Sequence, residues 1–540
     1  MPYQTPRQLV IDPPPPGALL PSGPCMTPQL RAILETRLGP GQCMKVIAVA
    51  GAGKSTALRE YAKRNKDMRT LYVTFNKSVQ EHQEEAYALA GLEHVHVRTL
   101  SSLAYKLTIP LHDHDVANAL RFSDAAGACA LESDLESVRL TLEAYMSSAD
   151  VSLSRAHLRL VTGTSGAAAT KVLDMATRAW SALLCGRMTP TLAALEKLAP
   201  RSEVYDLVLL DEAHDVTASQ LRFALGVGAR SVVVYDPRQR INDWRKCVEV
   251  AVLDALPGTT LPLTHSWRFG DDFARSVGSF VDGISPTTHF SPTSTASLRG
   301  APARRTEICS FCVLPIAQAV AAKKHVAVLG STNLKIVLAA LDFVEAHPNF
   351  APTITFASGG AFAHVHALDG ARVMRELLLF SIGAPVAIEP LARFAKRLRP
   401  MACLRHYAVN GLDDEASMER ADDDTSVGDG APPPSGPSWR SALALFDALG
   451  PDRLRRALAL FEPDAREPAT SLATFSTIHV AKGLSWPWVA LLDTFLLATH
   501  RYNLATSSTS FQTTANLAYV AMTRAEEKLF LPPATYSAMY

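Results

Sequence analysis

One stretch constrains this chain more than any other: Lys45-Val46-Ile47-Ala48-Val49-Ala50-Gly51-Ala52-Gly53-Lys54-Ser55-Thr56-Ala57-Leu58. The apolar, β-branched run Val46 to Val49 reads as a buried strand. Small residues and glycines follow, and Leu58-Arg59-Glu60-Tyr61-Ala62-Lys63 reads as a helix. A strand, a glycine-rich turn, a Lys-Ser pair and a helix are the parts of a phosphate-binding loop. The turn must curl until several backbone N–H groups converge on phosphate oxygens, and a Cβ at Gly51 or Gly53 would obstruct that approach. The helix start adds unpaired N–H groups and the positive end of its dipole. Lys54 can reach the outer phosphates, and the Ser55 hydroxyl can ligate Mg²⁺. One position departs from the usual G-x-x-x-x-G-K-[ST] pattern: Ala48 stands at the first glycine. The bland alternative is a strand-to-helix turn with a surface lysine. Strand and helix both falling where the motif needs them argues against it.

At 540 residues the chain can hold several domains with full cores. A hydrophobic content of 48% with 19% charged residues is ordinary for a soluble globular protein. The formal charge of +1 neither implies nor excludes a polyanionic partner, because a locally basic groove can sit on a neutral protein. No apolar run approaches the length of a membrane span, so no membrane partner is expected. The Pro-rich start, residues 1–25, lacks a signal-peptide core and reads as a flexible lead-in. Scattered cysteines fit a reducing compartment. Cys309 and Cys312 form the one close pair; with no second pair or His cluster nearby, they read as two half-buried thiols flanking Phe311 rather than a metal site.

The order of segments suggests an α/β protein of two modules, each with a parallel sheet and a mainly helical insertion. Thr27 to Leu34 looks like a capped amphipathic helix. Strands are expected at Arg69–Lys77, His94–Leu100, Tyr205–Leu210 and Ser231–Tyr235, with a helical insert over about 105–205. A second α/β region begins near His265, with strands at His325–Gly330, Leu472–Ile478 and Val489–Leu492. Between 356 and 471 the pattern is helical, broken by a loop at about 417–438 that reads as disordered. Asn516 to Lys528 reads as a helix.

Asp211 and Glu212 end a predicted strand and would face the same crevice as the glycine turn. Asp211 would hold Mg²⁺; Glu212 is placed to orient and deprotonate an attacking water. The competing reading is an acidic turn capping the next helix through Asp215. Arg268 and Arg524 stand out as guanidinium groups that could neutralise charge on a transferring phosphoryl group, although a surface ion pair is the commoner fate of an arginine.

Gly51-Ala52-Gly53-Lys54-Ser55, Tyr72-Val73-Thr74-Phe75-Asn76-Lys77-Ser78, Asp211-Glu212-Ala213-His214-Asp215, Asp236-Pro237-Arg238-Gln239-Arg240-Ile241, Thr264-His265-Ser266-Trp267-Arg268-Phe269, Thr477-Ile478-His479-Val480-Ala481-Lys482-Gly483-Leu484 and Tyr519-Val520-Ala521-Met522-Thr523-Arg524-Ala525 stand in one order along the chain. That order resembles UvrD/Rep-like superfamily 1 DNA helicases, most closely the F-box DNA helicase branch. No F-box is visible. The resemblance runs from about Thr27 to Leu531. It implies RecA-like P-loop domains 1A (26–104 and 206–264) and 2A (265–355 and 472–540), with inserts 1B and 2B, ATP in the cleft between them and single-stranded DNA across the top. ATP and Mg²⁺ are the implied cofactors. By the same resemblance Gln29 reads adenine, Trp267 stacks on it, Ala50 to Thr56 and Gly483 line the nucleotide, and Arg268 and Arg524 reach the γ-phosphate. Gln239 senses that phosphate. Phe75 and Trp244 stack on bases, with Asn76 beside them, and Thr99, Ser102, Thr477, His479 and Lys482 contact the nucleic acid. Base stacking is indifferent to sequence, which suits a translocating motor; the alternative for both aromatics is burial in a core.

Several positions depart from the pattern. His214 replaces a Gln, Tyr235 a Gly, Asn242 a Tyr, Ser101 a His and Ser331 an Arg, and Ser485 stands where a ribose-contacting Glu would follow Lys-Gly-Leu. The expectation is a monomeric 3′-to-5′ DNA helicase or translocase acting on single strands and ss/ds junctions in repair, recombination or replication. It would reside in the nucleus of a eukaryote or of a cell infected by a virus replicating there, otherwise in the cytoplasm or nucleoid. The rivals are a translocase that strips proteins from single strands with little unwinding, and an inactive ATP-binding scaffold. RNA remains an alternative substrate.

Overall fold

The computed structural model describes residues 26–74, 77–108, 116–117, 120, 132–160, 166–202, 204–285, 293–294, 306–311, 313–357, 370–387, 391, 401, 404–405, 437–461, 472–493, 495 and 508–539. Contacts gather them into two compact units, one mainly within Pro24–Gly278 and the other mainly within Arg304–Tyr540. The expected flexible start, Phe75, Asn76, Cys312 and nearly all of the expected disordered loop lie outside the described residues.

The first unit is built on six strands: β1 (Cys43–Ala48), β2 (Thr70–Thr74), β3 (Val95–Thr99), β4 (Leu207–Leu210), β5 (Ser231–Tyr235) and β6 (Thr259–Leu263). They lie in the order β3-β2-β4-β5-β1-β6, every pair parallel. The central strands are buried on both faces, which is why β4 and β5 read as near-continuous apolar runs; in β1 the one charge, buried Lys45, donates to Asp254 O at 2.6 Å. Side chains alternate between two cores. Val46, Leu207, Leu209, Val232 and Val234 meet the helices Pro28–Glu35 and Lys54–Arg64 on one face. Ile47, Val208, Leu210, Val233 and Tyr235 meet Leu100, Leu103, Leu221 and Phe223 on the other. Pro262, which can donate nothing to a ladder, sits in edge strand β6.

Thr27 caps the helix Pro28–Glu35, its side chain accepting from the Leu30 N–H. The region between β3 and β4 is helical as expected. Glu132–Ser147, Gly166–Leu184 and Leu192–Leu198 enclose their own core of Leu142, Tyr145, Val172, Trp180 and Leu183. Two short strands, β7 (His265–Ser266) and β8 (Thr293–Ser294), pair outside the main sheet. His265–Gly278 belongs by its contacts to the first unit.

The second unit holds β9 (Glu307–Ser310), β10 (Val326–Gly330), β11 (Ile354–Phe356), β12 (Ala473–Thr477), β13 (Trp486–Leu491) and β14 (Ala525–Leu531). Their order is β11-β12-β10-β13-β14-β9, again all parallel. The helices Gly370–Ser381 and Pro437–Phe461 pack with Val337 and Leu341 of Asn333–Ala346 in a separate core. One expectation is corrected here. The helix read over Asn516–Lys528 is a helix only to Met522, and Ala525–Leu531 is a strand. Glu526, Glu527 and Lys528 are good helix formers, but pairing with β13 and β9 overrides that weak preference.

Candidate functional site

Because β1 and β4 flank β5, the turns that follow all three open at the same sheet edge. After β1 the chain turns through Val49–Gly53. The Ala52 N–H donates to Val49 O at 3.2 Å and the Trp267 N–H to Gly51 O at 2.9 Å. Gly51 and Gly53 take φ of +72° and +82°. A Cβ on Gly51 would lie 2.7 Å from both Arg268 Cβ and Ser266 Oγ, so backbone and neighbour each demand glycine there. Gly53 begins the helix Lys54–Arg64, and no side chain caps it. The first-turn N–H groups at Lys54, Ser55 and Thr56 therefore face a place fit for an anion. Ala50 and Ala52 are buried beneath the turn.

β4 delivers the acids. Asp211 Oδ2 accepts from Ser55 Oγ at 2.9 Å and from the Tyr72 hydroxyl at 2.6 Å, and Asp211 Oδ1 from the Glu212 N–H at 2.9 Å. Lys54 Nζ pairs with Glu212 Oε1 at 3.0 Å. Glu212 holds φ of +52°, a left-handed conformation that costs a non-glycine residue of order 1 kcal/mol or more. Burial opposes the charge on Lys54, but Glu212, Asp236 and Asp211 outweigh it and hold its pKa up. Burial also pushes the Asp211 and Asp236 carboxyls up, and Glu212 adds to the shift at Asp211. The pocket thus carries more carboxylate than one ammonium balances. Ser55 and Asp211, a hydroxyl and a carboxylate on one spot, are the hard oxygen donors Mg²⁺ takes.

Gln239 lies in the short helical turn after β5. Its Nε2 donates to Asp236 Oδ2 at 2.5 Å, and the Arg238 N–H donates to Asp236 Oδ1 at 3.1 Å. Gln29 is pinned at the start of the unit. Its Oε1 accepts from the Thr264 N–H at 2.9 Å and from His265 Nδ1 at 2.8 Å, and its Nε2 donates to Thr264 Oγ1 at 3.0 Å. Trp267 is half-buried, with its indole Cδ1 3.8 Å from where a Gly53 Cβ would stand. Arg268 is half-buried, its N–H donating to Ser266 Oγ at 3.3 Å. Gln29, residues 50–56, Asp211, Glu212, Gln239, Trp267 and Arg268 thus all belong to one unit.

Trp244 is 74% exposed, which removes the core alternative for it. Its loop is held by several side-chain contacts. Buried Arg240 donates to the carbonyls of Val248 and Cys247 at 3.1 Å, and pairs with Glu249 and Asp243. The Arg245 guanidinium lies 5.6 Å from the indole centroid. Thr99 caps Leu100–Leu107, accepting from the Ser102 N–H, and Ser102 is exposed.

The second unit holds the remaining candidates. Thr477 caps the short helix Ile478–Ala481, with His479 exposed, Lys482 half-buried and exposed Gly483 at φ +88°. Arg524 is only 1% exposed. Its guanidinium donates to Val520 O at 2.9 Å, Leu484 O at 3.0 Å and Thr523 Oγ1 at 3.2 Å. Among the described residues no cluster of His, Cys, Asp and Glu has the makings of a multi-ligand metal centre. Cys309 lies in β9, its thiol pushed up by burial.

Residues 457–536 match the model of the UvrD-like helicase C-terminal domain. A 284-residue stretch, 46% of the chain, is 29% identical to F-box DNA helicase protein 1 of Schizosaccharomyces pombe, covering 32% of that protein. Over 290 residues, 48% of the chain, it is 27% identical to F-box DNA helicase 1 of Gallus gallus, covering 28% of that protein. The chain is thus similar to UvrD-like helicases in its C-terminal part and, over about half its length, related in sequence to F-box DNA helicases. It spans about a third of the length of these curated relatives.

Three partners in this site are not evident from the motifs alone. Tyr72 holds Asp211, Ser266 backs Gly51, and Asp236 anchors Gln239. All three lie inside the ordered motifs; the Asp236–Gln239 contact is local, whereas strand order sets the partners of Tyr72 and Ser266. Two departures from the family pattern find local explanations. Ser485 donates to Glu526 Oε1 at 2.7 Å, so a carboxylate still stands beside that position. Ser331, in place of an arginine, donates through N–H and Oγ to Asp493 at 2.5 and 2.9 Å.

Proposed function

We propose that the chain is an ATP- and Mg²⁺-dependent motor that moves 3′ to 5′ on single-stranded DNA and separates duplex ahead of it. The observation that carries this reading is the convergence of Lys54, Ser55, Asp211 and Glu212 on an uncapped, glycine-formed helix start. Bound there, Mg²⁺ would be held by Ser55 and Asp211 and would neutralise the β- and γ-phosphates. Lys54 would leave Glu212 for the outer phosphates. Glu212 would then be released to orient a water and take its proton. Gln239 and Arg268 would sense and neutralise the γ-phosphate from the same unit, and Arg524 is assigned that role from the second. Trp244 would stack on a base, supported by Phe75, and Thr99, Ser102, Thr477, His479 and Lys482 would track the backbone. The names of both relatives include DNA helicase, which supports DNA as the track.

The test is ATP hydrolysis by the whole chain with single-stranded DNA, duplex DNA or RNA, beside a strand-displacement assay. Stimulation by single-stranded DNA together with strand separation is expected. Hydrolysis that displaces bound protein but no strand would make it a stripping translocase. An absence of hydrolysis under all conditions would leave only a scaffold.

A further inference from the structure

We propose that Glu196 is a positioning residue that couples the candidate DNA-facing turn Thr99–Ser102 to the helix following the acids Asp211 and Glu212; this rests on the DNA-stimulated ATPase reading above. Glu196 lies in the insert helix Leu192–Leu198 and is 7% exposed. Its Oε1 accepts from Ser101 Oγ at 2.6 Å and its Oε2 from Gln220 Nε2 at 2.8 Å. Ser101 is in the first turn of the helix Leu100–Leu107, between the cap Thr99 and exposed Ser102. Its hydroxyl proton, at one of the positions that depart from the helicase pattern, is thus directed into the insert. Gln220 is in the first turn of the helix Ala218–Gly226, and its Oε1 accepts from the Thr217 N–H at 2.9 Å. That helix follows the short turn Ala213–Asp215 behind the acids.

A buried carboxylate is costly unless its oxygens are satisfied, and an apolar side chain of similar size would fill the same space without that cost. Here each oxygen takes one donor, and the two donors come from different helices, so the side chain bridges them. Burial pushes the Glu196 carboxyl up, and the Ser101 and Gln220 donors, with the Arg245 guanidinium beside Trp244, partly offset it. The insert is held to the same parts of the unit at two further points. Arg222, in Ala218–Gly226, donates to Ala149 O, and Lys246, in the Trp244 loop, pairs with Glu143 Oε2 at 3.6 Å. With the insert fixed there, a strand seated on Thr99 and Ser102 that shifts the start of Leu100–Leu107 pulls on Glu196. Glu196 passes the shift to the start of Ala218–Gly226.

The two arms are broken one at a time. Ser101→Ala removes the first donor, Gln220→Met the second, and Glu196→Met both contacts at once. In Glu196→Gln the amide oxygen accepts from Gln220 and the amide nitrogen donates to Ser101 Oγ, so both ties survive without the charge. The whole chain is assayed for the basal rate of ATP hydrolysis, KM for ATP, and the rate with saturating single-stranded oligothymidylate. Ser101→Ala, Gln220→Met and Glu196→Met should each lower the DNA stimulation about five- to tenfold, with basal rate and KM within about twofold of wild type. Because the arms lie in series, Ser101→Ala combined with Gln220→Met should lose no more than either alone. Glu196→Gln should keep the stimulation. Unchanged stimulation in Ser101→Ala, equal loss of basal and stimulated rates, or losses that multiply in the double variant overturn the proposal. Ser101→Ala deletes one hydroxyl and decides the matter if Glu196→Met fails to fold. A wild type that is inactive, or active but indifferent to DNA, overturns the reading on which the proposal rests; a stimulated wild type with indistinguishable variants removes only the role of Glu196.

Discussion

The two sheets share an architecture and differ at one place. Each has six parallel strands, and in each a buried strand, β1 or β10, runs through a short turn into a helix, Lys54–Arg64 or Asn333–Ala346. After β1 the turn is made by Gly51 and Gly53, and the N-cap glycine has no side chain to cap the helix start. After β10 the Ser331 N–H and hydroxyl are taken by Asp493, which also pairs with Lys335, and Thr332 caps the helix. The first helix start carries no side-chain cap. At the second an internal carboxylate and a threonine cap meet the exposed N–H groups. Topology alone therefore does not make a nucleotide site; what matters is whether the chain satisfies its own helix start.

The sharpest test removes the ammonium from each turn. Lys54→Ala should abolish ATP hydrolysis and unwinding, whereas Lys335→Ala should leave the rate within about twofold, since half-exposed Lys335 only pairs with an internal carboxylate that Ser331 also holds. Similar losses from both would erase the distinction. Next in size, Gly51→Ala must place a methyl group 2.7 Å from Arg268 Cβ and Ser266 Oγ at φ +72°. It should cost about 1–3 kcal/mol in chemical denaturation and most of the nucleotide affinity read by equilibrium binding. Unchanged affinity would mean the turn does not approach the phosphates.

A smaller effect is expected at the exposed indole. Trp244→Ala should reduce DNA stimulation of the ATPase about tenfold while the basal rate changes far less, in line with 1–3 kcal/mol for a stacked base. Equal loss of both rates would point to a structural role. The smallest belongs to the second turn: Asp493→Asn should lower stability by about 1 kcal/mol by thermal or urea denaturation, with hydrolysis preserved.

The strand–turn–helix of residues 46–63 was legible because every part of it is local: period, glycines, lysine and helix formers lie side by side in the chain. Asp211 and Glu212 were legible for the same reason. The hydroxyl of Tyr72 on Asp211, Ser266 behind Gly51 and Asp493 under Ser331 were not, because each joins segments far apart in sequence. Strand order brings them together, and no local pattern encodes it. The final strand was misread where Glu526, Glu527 and Lys528 favour a helix that sheet pairing forbids. Trp244 shows the converse, an aromatic whose composition suggests a core and whose place is solvent.

The left-handed backbone at Glu212 sets protein engineering and activity against each other. Glycine would relax that residue but would strip the largely buried Lys54 ammonium of its nearest carboxylate, so a heat-resistance screen should reject Glu212→Gly unless Lys54 is neutralised with it, and such a double variant would trade the candidate chemistry for stability.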